Sequence, residues 1–189
     1  MEFNYPGYEL RFVQKKNIKD GSDHLFSFIY KFRSEANRLN YIVTADYHFH
    51  DFFAIKFYPQ RLSKLEYKYS KITNSGDVQN ILITCLKVLP ILLEQYPNAS
   101  FGFIGARSYD KSRVSGREGR WEPEVKTQRF RLYTYIAKKK IGNVTFQHFQ
   151  YPEISGYMFV NRNCEDVDVR ERELIEMLSN CYEHISNPF

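Results

Sequence analysis

The stretch that decides the fold is VQNILITCLKVLPILLEQYPNASFGFIGA, residues 78–106. Up to Tyr96 its apolar residues follow the i, i+3, i+4, i+7 spacing of a helix. Pro90 predicts a kink in that helix, because proline removes one backbone hydrogen bond and clashes with the preceding turn. Ser100–Ala106 is a short apolar run that predicts a buried strand. Since a helix links it to the apolar segment Phe52–Tyr58, we expect two parallel neighbouring strands.

Upstream of this unit the sequence predicts antiparallel strands. His24–Arg33 alternates, with aromatic residues at every second position. Tyr41–Phe49 and Phe52–Tyr58 predict a hairpin that turns at His50-Asp51. Ser75-Gly76-Asp77 supplies residues typical of a helix start.

Downstream, Arg107–Thr127 is a long basic loop without apolar periodicity, and we expect it to be flexible. Gln128–Lys140 predicts a second helix, with Gly142 as its C-terminal cap. Val144–Tyr151 and Ser155–Asn161 predict a closing hairpin.

A last helix is predicted to begin at Asp166 or Asp168. Its apolar stripe either docks on the sheet or pairs with a second copy of the chain; it comprises Leu174, Met177, Leu178, Cys181, Tyr182 and Ile185. The predicted fold is a single α+β domain over residues 1–189. It has a mixed, mostly antiparallel sheet, two central helices and a C-terminal amphipathic helix, in the order β-β-β-α-β-α-β-β-α.

Composition limits the function classes. The chain has 189 residues, 43% of them hydrophobic, which suffices for one sizeable core. Three widely spaced cysteines show no metal-ligand pattern, and their odd number argues against a disulfide framework. No apolar run reaches the length of a membrane span. We therefore expect a cytoplasmic protein with no membrane association.

Charge is unevenly distributed along the chain. Residues 107–131 hold eight basic and four acidic side chains, a balance of +4, and residues 161–189 hold three basic and seven acidic ones, a balance of −4. Such polarity is compatible with nucleic acid, a phosphate-bearing or acidic ligand, a protein partner, or self-association. The alternative is that these charged residues have no binding role and lie on a solvent-exposed loop and a solvent-exposed helix face.

The start of the second helix is the candidate anion site. Arg129 and Arg131 lie in its first turn, where cations are normally disfavoured by the helix dipole. Arg107 and Tyr133 are added as further candidate contacts. The alternative is structural pairing of these arginines with acidic residues of the fold, for which the sequence offers Asp77, Glu122 and Glu124.

Two further sites were considered. Basic residues with an interleaved aromatic ring can bind single-stranded nucleic acid, and the candidates in the loop are Arg113, Arg117, Arg120 and Trp121. His48 and His50 share one face of a strand, a spacing that metals use, with His148 as a third ligand. Polar residues are ordinary at a hairpin tip, so we assign no metal.

No catalytic motif is found: the chain has no G-x-S-x-G, P-loop, H-E-x-x-H or G-x-G-x-x-G pattern. Whether the protein is an enzyme stays open, and no cofactor is assigned.

Three blocks together resemble an uncharacterised family of small bacterial proteins, frequent in Bacteroidota. They are Asn74-Ser75-Gly76-Asp77, the segment Pro97–Gly105, and Arg129-Phe130-Arg131-Leu132-Tyr133. The family carries N-x-G-D and R-T-R-L-Y blocks, and here Phe130 replaces the middle threonine. The resemblance covers about Tyr41–Asn161 and implies no known activity.

A looser resemblance is to the C-terminal half of GNAT acyltransferases, in the order of elements and in Arg131-Leu132-Tyr133. That fold implies a glycine-rich turn for an acyl-CoA pyrophosphate, whereas here Gly76 is followed by the carboxylate of Asp77. We therefore expect a binding or interaction module, and the alternative is a GNAT-like acyl- or nucleotide-dependent transferase. A homodimer through the C-terminal helix is a third expectation.

Overall fold

A seven-stranded mixed sheet forms the centre of the computed structural model, which describes residues 5–65, 68–69, 76–104, 109–110, 120–123 and 125–182. The strands are β1 (Arg11–Asn17), β2 (His24–Ser34), β3 (Leu39–His48), β4 (Phe52–Pro59), β5 (Ser100–Ile104), β8 (Phe146–Tyr151) and β9 (Gly156–Asn161). They lie in the order β1-β2-β3-β4-β5-β9-β8. The α+β fold predicted from the sequence is confirmed.

Neighbouring strands are antiparallel except for β4 and β5. These two are parallel, as expected for strands linked through a helix. Their pairing covers only three residue pairs, Phe52–Ala54 with Ser100–Gly102, although both strands continue beyond it.

The helix predicted over residues 78–96 is two helices, α1 (Val78–Leu86) and α2 (Val88–Gln95). They meet at Lys87, three residues before Pro90. Proline lacks the N–H that would bond the Leu86 carbonyl, and its ring clashes with that carbonyl. The interruption therefore lies one turn before Pro90, at Lys87, whose backbone keeps right-handed helical dihedral angles (φ −61°, ψ −17°).

Two further helices complete the fold: α3 (Gln128–Lys140) and α4 (Val167–Cys181). The bounds of α3 are those predicted. Its end differs, because Ile141 is the capping residue in extended conformation and Gly142 has no positive φ. Asp166 caps α4 through bonds from the Asp168 and Val169 amides.

Successive side chains of each strand point to opposite faces of the sheet, so the core has two layers, one on each face. The aromatic face of β2 and β3, which includes Phe28 and Phe32, packs against α1, α2 and part of α3. The opposite face packs Phe52, Met158 and Val160 against the stripe of α4. The predicted stripe thus docks on the sheet, which leaves only the outward face of α4 for a partner.

Two features were not predicted. β1 is an edge strand whose seven residues are all exposed, so it has no apolar alternation to detect. Inside the basic loop, β6 (Tyr109–Asp110) and β7 (Arg120–Trp121) form a two-stranded ribbon. The residues 105–108, 111–119 and 124 of that loop lie outside the described chain, so its predicted flexibility stays a prediction.

Candidate functional site

The start of α3 carries its own capping groups. The hydroxyl of Thr127 accepts a hydrogen bond from the Phe130 amide. The carboxylate of Glu122 accepts one from the Gln128 amide. A carboxylate of the protein therefore already lies at the positive end of the helix dipole, where an external anion was expected.

The structure places the predicted anion-site residues on different sides of α3. Arg129 is half-buried and its guanidinium donates to the Tyr69 carbonyl. Tyr133 is buried, with its ring edge-on to Phe103 at 4.7 Å between centroids. Burial raises the pKa of the Tyr133 hydroxyl, and the nearby Arg129 charge opposes that effect. Arg131 is exposed.

The structure says less about the position of the remaining candidate residues. Arg107, Arg113 and Arg117 lie outside the described residues. Arg120 and Trp121 are described as backbone in β7, opposite Asp110 and Tyr109. Asp77, proposed as a partner for the arginines, instead accepts hydrogen bonds from Tyr8, Ser34 and Asn80.

The histidines considered for metal binding are dispersed. His48 is fully buried, His50 is exposed in the β3–β4 turn with φ 62°, and His148 bonds the Tyr157 hydroxyl at 2.8 Å. No group of three or more potential metal ligands occurs among the described residues.

A polar network that the sequence reasoning missed lies beside the end of α4. We call it the Lys56 network: His24, Asp46, His48, Lys56 and Tyr182. The Lys56 ammonium lies 2.8 Å from a carboxylate oxygen of Asp46 and donates to the Tyr182 hydroxyl at 3.0 Å. The His24 and His48 rings stack at 4.9 Å.

Hydrogen bonding fixes the protonation of His48. Its Nδ1 lies 2.9 Å from the Asp46 carbonyl, which can only accept, so Nδ1 carries the proton. Its Nε2 then accepts from the Tyr182 hydroxyl at 3.0 Å. Burial, with a smaller contribution from His24, lowers the pKa of His48 to about 4.

Lys56 and Asp46 hold each other in their charged forms. Burial is the largest single effect on Lys56 and would lower its pKa. The charge and hydrogen bond of Asp46, together with those of Tyr182, outweigh burial and raise the pKa. Burial likewise works to raise the pKa of Asp46, and the Lys56 charge with its hydrogen bond reverses that effect. Lys56 is therefore a cation and not a nucleophile, and we interpret this network as the attachment of α4 to the sheet.

The sequence did contain part of this signal. Lys56 is the single charge in the apolar strand β4, and Asp46 and His48 share one face of β3. Tyr182 is 126 residues from Lys56, so only the fold could bring it there.

Comparisons with known proteins assign no relative. No family model matches the chain, and no curated protein or solved structure is significantly similar to it.

Proposed function

We propose that this protein is a binding module for a phosphate-bearing or acidic partner, and that it binds through the exposed face of α3. The observation that carries the proposal is the charge of this helix. It has five cationic side chains and no acidic one; they are Arg129, Arg131, Lys138, Lys139 and Lys140.

Three of these cations are available to a partner. Arg131, Lys138 and Lys139 are exposed, and none of them makes an ion pair within the described part of the chain. A helix surface of one sign creates a positive potential that attracts anions. The first and last of the three are eight residues apart, or about 12 Å along the helix axis. That spread favours an extended polyanion over a single phosphate group.

Single-stranded nucleic acid is the first polyanion to test. Anisotropy titrations of a labelled oligonucleotide at several salt concentrations would compare the wild type with Arg131→Ala/Lys138→Ala. Each lost phosphate contact on a single strand lowers the slope of log K against log salt by about 0.7. The double variant is therefore expected to lose about 1.4 from the slope.

The control is Lys19→Ala/Lys64→Ala, which removes two exposed cations elsewhere. Equal slopes for both double variants would contradict the assignment to α3. Binding of polyglutamate but not of the oligonucleotide would identify an acidic protein partner. No binding of any polyanion at low salt would refute the proposed function.

One observation favours the transferase alternative. The parallel strands β4 and β5 stop pairing after Ala54 and Gly102, and an enzyme of that class requires parallel strands that diverge. Against it, the start of α1 holds the buried carboxylate of Asp77. Isothermal titration calorimetry with acetyl-CoA tests this alternative. Absence of binding at millimolar acetyl-CoA would refute it.

A further inference from the structure

A cleft of about 430 Å³ lies where α1 and α2 meet, opposite the end of α3 and the start of β8. Its walls are largely apolar; the side chains include those of Ile83, Leu86, Leu89, Leu93, Val144 and Phe146. This volume lies within the range of about 300–1,000 Å³ usual for small-molecule sites.

The cleft lies beside the junction of α1 and α2. Val78–Gln95 is apolar enough to pass for a membrane span by length and composition, yet only 39% of it is buried. Leu86 and Leu93 line the cleft and are half-buried. Part of their apolar surface is therefore open to a ligand.

Both charged residues that line the cleft are cationic. The Lys87 ammonium donates one hydrogen bond, to the Tyr8 carbonyl at 2.9 Å, and an ammonium has three donors. Lys140 is exposed in the last turn of α3. No acidic side chain of the described residues lines the cleft. Apolar walls with cations at the edge are complementary to an apolar chain that ends in an anion.

We propose that this cleft binds a free single-chain anionic amphiphile, such as a fatty-acid carboxylate. The chain packs against Leu86, Leu89 and Leu93, and the carboxylate meets the ammonium groups of Lys87 and Lys140. The cleft is partly open to solvent, and its size suits one chain lying along its apolar floor. This inference concerns a different surface from the face of α3 and does not depend on it.

Calorimetric titration with two ligands of equal chain length tests whether the cleft prefers an anionic head group. Dodecanoate is expected to bind at least tenfold more tightly than dodecyltrimethylammonium, both below their micelle concentrations. Decanoate and octanoate test whether the alkyl chain packs against the apolar walls. Each methylene removed is expected to weaken binding by up to about fourfold, equivalent to about 0.8 kcal/mol. Equal affinity for both head groups, or no binding of dodecanoate, would overturn the inference.

Variants locate the site. Val144→Trp places a large ring at the rim of the cleft, at a residue that is 91% exposed, and it is expected to reduce dodecanoate affinity at least tenfold. Val169→Trp, on the exposed side of α4, is its control. Lys140→Glu is expected to weaken binding about fivefold, and Lys19→Glu is expected to leave it unchanged.

Circular dichroism of each variant confirms that it folds. Unchanged affinity in Val144→Trp would place any binding elsewhere and contradict the assignment. Co-sedimentation with anionic vesicles, without affinity for free dodecanoate, would show a membrane surface as the partner and would likewise overturn the inference.

Discussion

Acid should destabilise this protein through His48 in a defined pH interval. The folded state holds the pKa of His48 at about 4, against 6.5 for an ordinary histidine, because burial disfavours the imidazolium. Between these values the unfolded chain binds a proton that the folded chain does not. Stability therefore falls as the pH falls from 6.5 to 4, and it changes no further through this group below 4.

The magnitude follows from the width of that interval. Each pH unit contributes about 1.4 kcal/mol, so the full interval corresponds to a loss of about 3 kcal/mol. The groups that face His48 are consistent with this direction. His24 stacks on it and Lys56 lies nearby. Among the described residues Asp46 is the one carboxylate that acts on His48, and it is already paired with Lys56. The Tyr182 hydroxyl donates to the nitrogen that would be protonated.

Urea unfolding followed by far-ultraviolet circular dichroism, at closely spaced pH values across the interval, measures the effect. His48→Gln lowers stability at all pH values, but its free energy of unfolding should depend less on pH by about 3 kcal/mol over the interval. His50→Asn is the control, since His50 is exposed and in a left-handed turn that asparagine tolerates. If the profiles of wild type and His48→Gln run parallel, the reasoning fails.

Three other substitutions test the packing, each by urea unfolding at neutral pH. Lys56→Met should cost about 2–3 kcal/mol because it leaves the Asp46 carboxylate buried without its counter-charge, and adding Asp46→Asn should restore part of this; no rescue would show that the charge is not the cause. Gly102→Ala should cost about 1–3 kcal/mol, because a Cβ there would lie 2.6 Å from the Phe52 ring; an unchanged midpoint would contradict that contact. Thr127→Ala should cost about 1 kcal/mol by removing the cap of α3, whereas Thr127→Ser should retain most of the stability.

Much of the fold was predictable because its signals are local. The aromatic alternation of β2 reports a strand with one buried face, and the spacing in α3 and α4 reports helices with one buried stripe. The parallel pairing of β4 and β5 followed from the helices between them.

The remaining features depend on tertiary structure. β1 is held by its ladder to β2 and exposes every side chain, so no hydrophobic pattern marks it. The cap expected at Gly142 is wrong because α3 ends in extended backbone at Ile141, where no left-handed residue is required. The Lys56 network joins three strands to the end of α4, and local sequence does not report contacts between residues so far apart in the chain.

The candidate site was predictable only in part. Arg131 is exposed, as a binding residue must be, but Arg129 and Tyr133 differ from it in burial. The periodicity of α3 placed Tyr133 on its inner face, and the structure confirms that placement. What the pattern could not give is the Glu122 carboxylate at the helix start, six residues upstream of the amide it binds.

The position of β5 has a consequence for how the chain folds. Strands β1–β4 form a continuous run of neighbours, and β8–β9 form a hairpin, so each half can assemble from contacts close in sequence. β5 is the seam between the two halves, and it meets β4 over only three residue pairs. Closing that seam joins residues that are 48 positions apart, such as Phe52 and Ser100, and 58 positions apart, such as Phe101 and Phe159. Each of these closures costs more loop entropy than a hairpin between consecutive strands. Closure at β5 is therefore the expected rate-limiting event. In a refolding experiment, the amides of β5 should be the last to become protected against hydrogen exchange.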